Sequence, residues 1–133
     1  MNTLPDWLVP ITLPMPATRG AVNVYLIRGR DEVGLVDTGM DDALSRAALM
    51  AALEENGLAL SDIDHVLCTH YHSDHCGLGA TFLEAGAEVM MSAVDAASLD
   101  KFFSAPEKDK HRAAFFGRHR VPDDFAERVF AMF

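Results

Sequence analysis

Val66-Leu67-Cys68-Thr69-His70-Tyr71-His72-Ser73-Asp74-His75 carries the chain from an apolar strand into four potential metal ligands within six residues. Three imidazoles and a carboxylate so close together make a poor surface decoration and an economical grip on a transition metal at the edge of a sheet. His70 and His72 stand two apart, so on extended backbone their side chains point the same way and can share one ion. Asp74 and His75 are adjacent, and a turn is needed to aim them together at a neighbouring second ion. Imidazole and carboxylate donors suit zinc, iron or manganese alike. The helical zinc motif, with histidines four apart around a glutamate, is a different pattern.

Working outward, Val22 to Ile27 is β-branched and apolar enough for a strand, Arg28 to Glu32 reads as a turn, and Val33 to Val36 as the returning strand. Asp41 or Asp42 then caps a helix to about Asn56, with Gly57 as its stop signal. Leu44, Ala47, Ala48, Ala51 and Leu53 supply its expected apolar face. A strand over His65 to Thr69 delivers the histidines, Gly77 to Ala85 reads as a short helix, and Glu88 to Met91 as a fourth strand. Gly77-Leu78-Gly79 has Phe82 where a dinucleotide loop needs a third glycine, so it reads as close packing at a helix start. From Ala93 the pattern is helical, broken near Pro106, Gly117 and Pro122. Alternation of strands and helices argues an α/β sheet covered by helices, whose ligands sit beyond the carboxyl ends of the strands. The expected organisation is a single domain over residues 1–133. An extended arm, residues 1–20, is marked by Pro5, Pro10, Pro14 and Pro16 and lies over the body; the αβ core is 21–92 and a helical segment is 93–133.

Half of the 133 residues are hydrophobic, enough to bury a core. Twenty acidic against eleven basic residues give a net charge of −9, which repels phosphate backbones and anionic membrane surfaces. Neither nucleic acid nor membrane is an expected partner. Two cysteines, Cys68 and Cys76, are too few for a disulfide framework. The N-terminus lacks the basic start and apolar run of a signal peptide, so a cytoplasmic setting is expected.

His70-x-His72-x-Asp74-His75 after a hydrophobic strand, with Leu35-Val36-Asp37-Thr38-Gly39 upstream and Asn23-Val24-Tyr25-Leu26-Ile27 before it, resembles the metallo-β-lactamase superfamily. The likeness runs from roughly Val22 to Met91. It implies the N-terminal half of an αββα sandwich, a mixed sheet with helices on its outer face, followed by a helical segment. It implies that His70 and His72 bind a first metal and that Asp74 and His75 bind a second. Asp74 also handles a proton in mononuclear members, and Asp37 props the metal loop through hydrogen bonds. Zinc is the implied cofactor, two ions in a complete site, with iron or manganese as alternatives. The implied activity is hydrolysis of an ester, thioester or lactone-type bond in a small-molecule substrate by a metal-bound hydroxide. Two other readings stand beside it: a non-catalytic half-domain or self-associating module with weak or no metal binding, and a mononuclear iron sulfur dioxygenase.

The family pattern continues downstream with a third histidine on a Gly-His-Thr-like turn, a bridging aspartate and a last histidine, none of them found before Phe133. The chain is therefore expected to be an N-terminal portion, inactive alone, with a homodimer through the face left open by the missing half. His111 and His119 lie between basic residues, which oppose metal binding, and are not expected as ligands. His65 reads as a strand-entry or surface residue, Cys68 as core and Cys76 as a small buried residue. The phenylalanines from Phe102 to Phe133 read mainly as core.

Overall fold

The computed structural model describes residues 4–16 and 20–103. Its strands are β1 (Leu8–Met15), β2 (Gly20–Arg28), β3 (Val33–Val36), β4 (His65–Leu67) and β5 (Glu88–Met90), side by side in sequence order. β1, β2 and β3 pair antiparallel, whereas β3, β4 and β5 are parallel. Helix α1 (Ala43–Glu55) connects β3 to β4, α2 (Ser73–Cys76) and α3 (Gly79–Glu84) connect β4 to β5, and α4 (Ala93–Phe103) follows. The expected mixed α/β sheet is present. The sheet and α1 to α3 fall in one unit that ends at Ala96.

Alternation along the strands decides which face is covered. Ile11 and Leu13, Val22, Val24 and Leu26, Leu35 and Val66 are buried together with Leu49 and Leu53 of α1 and Phe82 of α3. The other parity forms a register row, Pro10, Tyr25, Val36, Leu67 and Met90, from one edge of the sheet to the other. Leu67 is 48% and Met90 38% exposed.

Two expectations are corrected. Part of the arm expected over residues 1–20 is an edge strand paired with β2 along its length, Leu8 opposite Ile27 through Met15 opposite Gly20. Its Ile11 and Leu13 point into the core, and its prolines, which lack an N–H to donate, are tolerated at an edge. The buried face of α1 is Ser45, Leu49 and Leu53, while Leu44 is 60% exposed and Ala47 and Ala51 face outward. Ser45 can be buried because its hydroxyl donates to Asp42 Oδ2 and lies 2.7 Å from the Pro14 carbonyl oxygen. The breaks at Pro106, Gly117 and Pro122, together with His111 and His119, lie outside the described residues.

Candidate metal centre

The site is built where β3 and β4, parallel neighbours, end on the same edge. Beyond β3 the ladder gains one more rung, the Asp37 amide donating to the Leu67 carbonyl at 2.9 Å. Asp37 then takes φ +61°, the left-handed region that aspartate tolerates better than most residues. That reversal leaves its side chain buried at 4% exposure, beneath the loop that follows β4.

The Asp37 carboxylate accepts from that loop at several points. The Thr69 amide donates to Oδ1 at 2.7 Å, and the Thr69 hydroxyl lies 3.0 and 2.9 Å from the two oxygens. His75 Nδ1 lies 2.8 Å from Oδ2. Thr38, fully buried, donates its amide to the His75 carbonyl at 2.7 Å and accepts the Leu78 amide on Oγ1 at 3.1 Å. The Cys76 thiol donates to the Tyr71 carbonyl at 3.2 Å. These bonds turn the chain after His72 into α2, whose first turn carries Asp74 and last turn His75.

The sequence-predicted residues are brought together as two donor pairs. His70 Nε2 faces His72 Nδ1 at 3.1 Å, and Asp74 Oδ2 faces His75 Nε2 at 3.4 Å. The His70 ring lies between the other two, with centroids 4.6 Å from His72 and 4.1 Å from His75. Two donors bound to one tetrahedral zinc at about 2.0–2.1 Å stand roughly 3.4 Å apart, so both spacings fit the ion. Among the described residues these pairs do not close into a ready cradle of three or more ligands. His75 carries the arrangement typical of metal-ligating histidines, one ring nitrogen committed to a buried carboxylate and the other left toward the donor partner.

Burial pushes the Cys68 thiol up to about 12, with Cys76 and Asp37 nearby adding to the effect, and burial likewise raises Cys76. Both thiols are therefore held in the protonated form, which is a poor metal ligand. His65 stands at the opposite end of β4, between Glu32 at 3.3 Å and Glu88 at 3.2 Å, away from the ligand loop.

Thr69 is the residue that sequence reasoning misses, since spacing marks it only as the end of a strand. The signal that could find it is a short hydroxyl side chain directly before the first histidine. Gly77 is required for close approach: a Cβ there would lie 2.4 Å from Ser73 O, 2.6 Å from Asp41 N and 2.8 Å from Gly39 O.

Comparison with known proteins gives a consistent picture. The family model described as the metallo-beta-lactamase superfamily matches residues 17–128. The probable metallo-hydrolase YqjP of Bacillus subtilis (strain 168) is 39% identical over 71 residues, which is 53% of this chain and 22% of that protein. Metallo-beta-lactamase domain-containing protein 1 of Xenopus laevis is 43% identical over 70 residues, 53% of this chain and 28% of that protein. A crystal structure of a metallo-beta-lactamase family protein from Thermus thermophilus matches with TM-score 0.79 and 33% identity, over 94% of this chain and 43% of that one. This chain thus spans less than half the length of each of these relatives.

Proposed function

This chain belongs to the metallo-beta-lactamase superfamily, and from that premise we propose that it serves a metal-dependent hydrolase acting on an ester, thioester or lactone-type bond of a small molecule. The observation that carries the reading is the pair of donor pairs, His70 Nε2 with His72 Nδ1 and Asp74 Oδ2 with His75 Nε2, at the carboxyl edge of parallel strands. In the proposal His70 and His72 hold one ion, and Asp74 and His75 hold a second. Zinc is the favoured metal, with iron and manganese compatible with the same donors. When bound, such a metal supplies a water that ionises near neutral pH and polarises the carbonyl under attack.

The chain's own residues do the rest. Asp37 orients His75 directly, and the Thr38 bonds fix where α2 begins. Asp74 is the carboxylate at the site with an oxygen on the donor side, so it is assigned the proton handling when one ion is present. Two donors per ion hold a metal less securely than a full set, and we propose that these 133 residues alone are inactive. The proposed setting is cytoplasmic, with which the two free cysteines agree. No helix among the described residues is long and apolar enough to cross a membrane. The net charge of −9 supports a substrate other than nucleic acid and a site away from membrane surfaces.

A second reading, a self-associating module with weak or no metal binding, is favoured by the apolar row Tyr25, Val36, Leu67 and Met90, of which Leu67 and Met90 are exposed. Elemental analysis of protein purified without chelators, with and without added zinc, separates the two. Zinc at one or two ions per chain supports the hydrolase. Little metal and no uptake of added zinc overturns it in favour of the module, and one tightly held iron points to oxygen chemistry on sulfur instead.

A further inference from the structure

We propose that Thr69 is a positioning residue for His70, passing the constraint of Asp37 to the imidazole so that Nε2 is the nitrogen that carries the lone pair. The inference rests on the proposed metal-binding role of His70, but its geometry is independent of any metal.

Thr69 Oγ1 lies 3.0 and 2.9 Å from the Asp37 oxygens and 3.0 Å from His70 Nδ1. Both Asp37 oxygens lie within hydrogen-bond distance of Oγ1 and Oδ1 already accepts the Thr69 amide, so the carboxylate stands as acceptor and the single hydroxyl proton is committed to it. Toward the ring, Oγ1 then has only lone pairs to offer, and the contact is a hydrogen bond only if His70 carries its proton on Nδ1. In a neutral imidazole that places the lone pair on Nε2. Nε2 is the atom that faces His72 Nδ1 at 3.1 Å. One buried carboxylate therefore sets two rings in two different donor pairs, His75 by direct contact and His70 through a hydroxyl. His72 has no such link to Asp37 among its described hydrogen bonds.

The position asks for a hydroxyl on a short side chain. Serine keeps it; valine keeps the shape and removes it. Thr69→Val leaves Asp37 the Thr69 amide and His75 as partners, so the loop retains its anchor.

The test is the side-chain 15N spectrum of metal-free protein, recorded above the imidazole titration range. His70 is expected as the Nδ1–H tautomer in the natural protein and in Thr69→Ser, and as a mixture or the Nε2–H form in Thr69→Val. Zinc affinity, by competition with a chromophoric chelator, is expected to fall at least about tenfold in Thr69→Val and to recover in Thr69→Ser. A natural protein whose His70 is Nε2–H overturns the proposal without any variant, and so does a tautomer that ignores Thr69→Val. If the tautomer responds as expected while the natural protein takes up no zinc, the positioning role stands and the hydrolase reading fails.

Discussion

Asp37 Oδ2 and His75 Nδ1 meet at 2.8 Å across 38 residues of chain, joining the end of β3 to the candidate ligand loop beyond β4. The aspartate reaches the ring only because its backbone turns to φ +61°, and the carboxylate is buried once there. A buried carboxylate against a ligand histidine fixes the ring's orientation and tautomer, and losing such a partner weakens metal binding by about 10–100-fold. Asp37→Asn tolerates the same backbone but cannot accept from every donor now present. Its zinc affinity is expected to drop within that range with the circular dichroism spectrum unchanged. An affinity equal to that of the natural protein would remove Asp37 from the site.

Metal should stabilise the fold through the two leading histidines. At zinc concentrations a hundredfold above Kd, the natural protein is expected to gain about 2.7 kcal/mol. His70→Ala/His72→Ala is expected to gain far less. Without metal the double variant should match the natural protein within about 0.5 kcal/mol, since His72 is exposed and His70 only half-buried. Thermal melts with zinc and with a chelator measure both quantities.

Gly77 is constrained by backbone on three sides and Gly57 by conformation alone. Gly77→Ala must displace the Ser73 and Gly39 carbonyls or the Asp41 amide, and is expected to cost about 3 kcal/mol or more and to disturb α2. Gly57, at φ +72° with nothing within 4 Å of where an added Cβ would stand, should cost about 1 kcal/mol as alanine. Equal costs in urea titrations would contradict the packing account.

Asp42 caps α1, accepting from the Leu44 amide at 2.9 Å and the Ser45 amide at 3.0 Å. Burial pushes its carboxyl upward, but the Ser45 hydroxyl and these two amides outweigh it and hold the net value below the usual 3.8. The carboxylate form is therefore favoured in the folded state. Its contribution is complete above the unfolded value and is lost as pH falls through the lower folded one. Asp42→Ala should cost about 1 kcal/mol at neutral pH, with the gap to the natural protein narrowing below pH 3.8. Denaturation at pH 7 and at acid pH checks the sign.

The open row of the sheet makes a prediction for the proposed self-association. Leu67 and Met90 are neighbours in the β4–β5 register, and both are well exposed. Sedimentation is expected to show a concentration-dependent dimer that Leu67→Lys/Met90→Lys abolishes. A monomer at every concentration would count against association through this face.

Much of this was legible because it is local. The β3 strand Val33–Val36 agrees with its expected bounds, and Asp42 and Gly57 punctuate α1 as capping and left-handed residues do. The candidate ligands were visible because they lie within six residues on one strand end and turn. The face of α1 was not, because alanines and leucines ring the whole helix, and it takes the packing of Leu49 and Leu53 in the core and the Ser45 contact with Pro14 to show which side is buried.

The sequence by itself therefore determined strands β2 to β5, the principal helix, the family and the four candidate ligands, since each depends on spacing along a few residues. The tertiary structure decided that β1 completes the sheet, and that Asp37 binds Thr69 and His75 from 32 and 38 residues away. Those contacts follow from the parallel register of β3 and β4, which brings two strand ends side by side, and from one left-handed residue that turns a carboxylate inward. Neither leaves a periodic mark in the chain, because a hydrogen bond between distant residues is fixed by how strands pair and not by what adjoins them in sequence.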